Sequence, residues 1–105
     1  MSDFARVASA ADVPAGTARV VDVGGRSIAL CHVEGDAIYA IDNVCTHDDG
    51  PLGDGTLHAD RVECPRHGAL FDVRTGAAKT LPAVRGVRSY PVRIVGGDVE
   101  VALDG

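Results

Sequence analysis

At 105 residues the chain fits one domain around one modest core, and 15 acidic against 10 basic side chains give a net charge of −5 and a pI near 5.1. That balance excludes nucleic acid and anionic membrane surfaces, which call for Lys/Arg patches, and makes a basic protein surface the better partner. No apolar run approaches the roughly 18 residues of a membrane span.

The first residues, Met1-Ser2-Asp3-Phe4-Ala5-Arg6, lack the basic-then-apolar layout of a signal peptide. A cytoplasmic chain is expected, with reduced thiols. Its three cysteines then read as ligands or core thiols, not as a disulfide framework.

Residues 10–16 have room for a single helical turn, kept short by Pro14 and Gly16. Branched and polar residues alternate over 18–23 and 26–33, and Gly24-Gly25 between them predicts a tight hairpin. Glu34-Gly35-Asp36 turns the chain into a strand over 37–42. Strands over 87–95 and 98–102 flank Gly96-Gly97, a second hairpin. Between them, 43–82 is rich in Gly, Asp and His, with strand-like pieces at Thr56-Leu57-His58, Arg61-Val62-Glu63 and 69–73. The reading is all-β: one domain spanning 1–105, an antiparallel β-sandwich or barrel with a small subdomain over about 43–82 inserted into it.

Two segments in that insert carry chemistry, Cys45-Thr46-His47 and Cys64-Pro65-Arg66-His67, separated by residues 48–63. Each offers one thiolate and one imidazole from a tight loop. Two sulfur and two nitrogen ligands suit a [2Fe–2S] cluster in which two His replace two Cys on one iron. Zinc is the rival, since Cys₂His₂ is a common zinc set. Zinc modules pair like ligands, however, and here each loop mixes one Cys with one His. Cys31 lies in a strand and reads as a buried thiol. His32 falls on the opposite face, at the surface or an edge. His58 lies between the motifs and Arg66 inside the second; the role of each is left open.

These motifs resemble the Rieske iron–sulfur proteins, and in detail the small Rieske-type ferredoxins that feed electrons to bacterial ring-hydroxylating dioxygenases. The likeness also covers Pro51-Leu52-Gly53-Asp54-Gly55, Gly68, Phe71-Asp72-Val73-Arg74-Thr75-Gly76 and Tyr90-Pro91-Val92-Arg93-Ile94, in the family's order. It implies that Cys45 and Cys64 hold an inner iron and His47 and His67 an outer one. It implies two stacked antiparallel sheets plus a cluster-binding lobe, with Leu81-Pro82-Ala83 as a third covering loop. Ligation by neutral His leaves less negative charge than four thiolates and raises the potential, to roughly −150 to +300 mV against about −400 mV for plant-type clusters.

Within that range the surroundings decide. High-potential Rieske proteins carry an extra Cys in each motif, joined as a disulfide; here Gly50 and Arg66 stand there. They also follow the second His with Gly-Ser-x-Tyr, whose hydroxyls donate to cluster or ligand sulfur; here the run is Gly68-Ala69-Leu70-Phe71. A potential at the low end is expected. Asp48 and Asp49 beside His47 act in the same direction or serve as solvated turn residues. Gly50, Gly53, Gly55 and Gly68 are expected to let backbone N–H groups approach the cluster or to supply positive φ, with a plain turn role as the equal alternative for Gly53 and Gly55.

The resemblance implies a soluble one-electron carrier, a monomer that docks transiently on a flavoprotein reductase and then on a terminal oxygenase. It implies no substrate chemistry of its own: beyond His47 and His67 only His32 and His58 remain, without the pattern of a mononuclear iron site. The alternative is a Rieske-type small subunit of an NADH-dependent nitrite reductase or another multi-subunit oxidoreductase.

Overall fold

The computed structural model describes residues 4–35, 37–44, 52–65, 68–80 and 86–103. Among these, ten strands form three antiparallel sheets: β1 (Phe4–Ser9), β2 (Ala18–Val23), β3 (Arg26–His32), β4 (Ile38–Asp42), β5 (Thr56–His58), β6 (Arg61–Glu63), β7 (Leu70–Asp72), β8 (Ser89–Tyr90), β9 (Val92–Val95) and β10 (Asp98–Ala102). Two 3₁₀ turns, Ala10–Asp12 and Leu52–Asp54, complete the elements. The chain is all-β, as expected, and no helix among the described residues is long and apolar enough to cross a membrane.

Both Gly-Gly pairs are two-residue hairpin loops. Gly24 and Gly25 have φ of 55° and 81°, Gly96 and Gly97 58° and 85°, a pair of left-handed positions that only glycine takes without strain. They fix the registers Val23↔Arg26 and Val95↔Asp98.

The sheets stack on a shared middle layer. Sheet β2-β3-β4-β8 has β1-β10-β9 against one face and β5-β6-β7 against the other. Period-2 geometry sends alternate side chains of β3 to opposite faces. Ile28 and Leu30 join Val13, Val99 and Val101 in one core; Ala29 and Cys31 join Val62, Cys64 and Phe71 in the other. In β4, Ile38 and Ala40 face the first core and Ile41 the second. All four residues 28–31 are therefore buried, which explains why β3 reads as an apolar run at its centre.

The final strand region departs from expectation. Residues 87–95 are not one strand but two, β8 and β9, divided at Pro91. Proline has no N–H for a ladder, and the break lets the chain change sheets: β8 pairs with β4, β9 with β10. β1 was not anticipated from the sequence; it pairs with β10 through a register shift between Arg6 and Ala8. The predicted helical turn is the 3₁₀ turn Ala10–Asp12, and the strand expected over 26–33 ends at His32. His32 is half-buried, and its Nδ1–H donates to the Val13 carbonyl at 2.7 Å.

Candidate iron–sulfur centre

β5, β6 and β7 lie in sequence between β4 and β8 and form their own meander on the middle sheet, with registers Leu57↔Val62 and Val62↔Phe71. Cys64 directly follows β6. Its N–H donates to the Ala69 carbonyl (2.8 Å), extending the β6–β7 ladder by one rung. His67 lies in sequence between Pro65 and Gly68, outside the described residues. Gly68, at φ +75°, returns the chain and donates its N–H to the Cys64 carbonyl at 3.0 Å. The positive φ expected for this glycine is present.

Cys64 is fully buried, among Ala69, Phe71, Val62 and Leu52. Leu52 begins the 3₁₀ turn that ends the other motif loop, which leaves β4 through Asn43 and Val44. One core therefore grips the root of the second loop and the exit of the first. Of the four predicted ligands, Cys64 is described; Cys45, His47 and His67 lie outside the described residues. So do Asp48, Asp49, Gly50, Arg66 and the third loop, Leu81-Pro82-Ala83. The donor chemistry fits a [2Fe–2S] group: a buried soft thiol stands at the end of β6, with a histidine three residues on in sequence.

Cys31 shares that core, as the predicted buried thiol. Burial pushes its pKa up from 9.0 to about 12, so it stays protonated at neutral pH. Its place mid-strand in β3, outside both motifs, sets Cys31 apart from the ligand role.

Gly53 lies within the 3₁₀ turn Leu52–Asp54 and Gly55 closes it, donating its N–H to the Leu52 carbonyl at 3.0 Å, the turn role expected of both. Neither has positive φ; each sits where a side chain cannot fit. A Cβ on Gly55 would overlap the Glu63 carbonyl oxygen, and one on Gly53 would overlap Val20 Cγ2. Gly55→Ala is therefore expected to lower stability by about 1–3 kcal/mol through overpacking beside Cys64. Thermal unfolding, together with the ratio of visible to protein absorbance, checks both the fold and its cofactor content.

Around the hairpin, polar side chains tie loops to strands. His58 Nε2–H donates to Glu63 Oε1 at 2.8 Å, an exposed pair worth little to stability on its own. The spare histidine is thus committed to Glu63. Thr80 Oγ1 accepts from the Leu70 N–H (2.9 Å), and the Lys79 N–H donates to the Leu70 carbonyl (2.8 Å), so residues 79–80 run along the start of β7. At the end of β4, the Tyr90 hydroxyl donates to Asp42 and accepts from Arg26 at 3.2 Å. Sequence reasoning missed Asn43, whose amide reaches both Ser27 and Gly53. Its only signal was position: a polar amide between an apolar strand and a motif loop.

The model of the Rieske [2Fe–2S] domain matches residues 3–91. The ferredoxin component of a naphthalene 1,2-dioxygenase system from Pseudomonas aeruginosa is 42% identical over 92 residues, covering 88% of each chain. The ferredoxin of carbazole 1,9a-dioxygenase from Nocardioides aromaticivorans IC177 superposes with a TM-score of 0.90 at 40% identity, covering 96% of this chain and 98% of that one. A chain from a complex of reduced oxygenase and oxidized ferredoxin in carbazole 1,9a-dioxygenase gives 0.87 at 37% identity, covering 97% and 94%. This chain belongs to the Rieske [2Fe–2S] family, and within it stands with the ferredoxin components of aromatic dioxygenase systems.

Proposed function

We propose that this chain is a one-electron carrier whose Rieske cluster is held by Cys45 and Cys64 on one iron and by His47 and His67 on the other. It takes electrons from a flavoprotein reductase and delivers them to a terminal oxygenase. The observation that carries the reading is Cys64, a fully buried thiol at the root of the β6–β7 tip, packed in one core with Leu52 at the exit of the loop of Cys45 and His47. The solved complex of a similar ferredoxin with its oxygenase supports the acceptor.

When bound, the cluster supplies reversible uptake of one electron. The chain's residues do the rest. Residues 43–82 act as the cluster-binding lobe, and the apolar wall of Ala69, Phe71 and Leu52 excludes water around Cys64. Ala69 and Phe71 offer no hydroxyl to a sulfur, so the added negative charge of the reduced state gains no donor from either position. The protein acts as carrier and not as catalyst. It works as a cytoplasmic monomer, and its docking is brief, as suits redox encounters with small interfaces.

In voltammetry of the purified protein, the midpoint is expected at the low, negative end of the Rieske range, roughly −150 mV. A clearly positive midpoint contradicts this reading. Mixed with NADH, a flavoprotein reductase and an aromatic-ring oxygenase, the chain should support turnover that stops when it is left out.

A further inference from the structure

The loop expected to carry Cys45 and His47 leaves β4 and returns at the 3₁₀ turn Leu52–Asp54, and a single side chain spans its two ends. Asn43 Oδ1 accepts the Gly53 N–H at 2.6 Å, and Nδ2 donates to Ser27 Oγ at 3.0 Å. A backbone N–H can only donate, so the amide has one orientation: oxygen to Gly53, nitrogen to Ser27. The Asn43 N–H also donates to the Ser27 carbonyl at 3.0 Å, which ties the entry of the loop to β3. The exit is tied as well. Gly53 lies so close to Val20, on β2, that no Cβ fits, and Leu52 is fully buried.

We propose that Asn43 is a positioning residue for the first motif: its amide ties together the described residues that flank that motif, Asn43 and Gly53, and anchors them to Ser27 of β3. The proposal rests on the function given above. Its physical basis is closure. Holding the ends of a loop together removes freedom that metal binding would otherwise have to remove. A contact across the ends acts on the bound loop more than on the distant sheet β1-β10-β9.

The test compares holoproteins for iron loss to a ferrous chelator and for the electron paramagnetic resonance line width after dithionite reduction. Val99→Ala, a truncation in the opposite core, is the control for general destabilisation. Asn43→Ala is expected to lose iron about tenfold faster than that control, the factor for about one hydrogen bond, and to broaden the signal. Asn43→Asp should restore near-wild-type behaviour, because a carboxylate still accepts the Gly53 N–H and the Ser27 hydroxyl can turn to donate. Equal rates for Asn43→Ala and Val99→Ala, or an Asp variant as fast as the Ala variant, overturn the proposal. If Asn43→Ala does not fold, Ser27→Ala carries the test, with a rate about threefold above wild type expected from loss of the outer arm and an unchanged rate overturning the clamp. A wild-type chain without a Rieske signal overturns the underlying function, and this proposal with it; a wild-type signal with indifferent variants overturns this proposal alone.

Discussion

Cys64→Ala is expected to give a colourless protein without a [2Fe–2S] cluster, whereas Cys31→Ala keeps full iron content. The two thiols make a sharp pair because both are fully buried and share one core. Burial alone cannot separate them; position does. Cys31 lies mid-strand in β3, opposite Ala18 and Tyr39 in the ladders and outside both motifs. Removing its sulfur trims a core contact, at a cost of about 1 kcal/mol, and takes nothing from the cluster. Cys64 stands where the β6–β7 ladder ends and the loop with His67 begins. On the proposed ligation its loss removes one of four ligands, and the remaining three would not complete the inner iron. The core of Ile28, Leu30, Val99 and Val101 does not include Cys64, so the sheets around it should persist and far-ultraviolet circular dichroism should still report β structure. Iron-to-protein ratios for the two variants check the contrast. Equal iron in both, or loss only from Cys31→Ala, contradicts it.

Ala69→Ser and Phe71→Tyr should each raise the midpoint potential. Both positions are fully buried beside Cys64, and both present only carbon to that core. A hydroxyl that donates to sulfur interacts better with the reduced, more negative state. If that preference is about 1.4 kcal/mol, within the range for hydrogen bonds to charged groups, a one-electron midpoint rises by about 59 mV. The two variants differ in cost. Ser adds one oxygen near a carbonyl already engaged with the Cys64 N–H, whereas Tyr brings a hydroxyl into a packed interior, where about 1–3 kcal/mol is lost if it finds no partner. Protein-film voltammetry reads the shifts. Unchanged or lowered midpoints in both variants would mean that the missing hydroxyls do not set the potential.

Much of this molecule was legible in its sequence, for local reasons. The Gly-Gly pairs are demanded by left-handed turn geometry, so both hairpins and their registers could be placed from four residues. The short strands β5, β6 and β7 were visible from their branched residues and the turns between them. The family was legible because its motifs fix residue types at short spacing. What escaped was non-local. β1 exists because β10 offers it an edge, and nothing in Phe4–Ser9 announces that partner. The run over 87–95 looks like one strand because its residues favour strands, while the change of sheet at Pro91 depends on where β4 and β10 lie. Gly53 and Gly55 form the turn expected of them, but the close approach of Val20 and of the Glu63 backbone, for which their absent side chains make room, is non-local and was not foreseen. Asn43 was invisible because its partners, Ser27 and Gly53, are 16 and 10 residues away.

The central claim is that two Cys and two His of this chain hold a [2Fe–2S] cluster. Electron paramagnetic resonance of the dithionite-reduced wild-type protein, run beside His67→Cys, tests it most directly. The account predicts a Rieske signal with a low average g value in the wild type, and its loss or conversion to an all-cysteine type of signal in the variant. A colourless wild-type protein loaded with zinc, or a wild-type signal already of the all-cysteine kind, would contradict it.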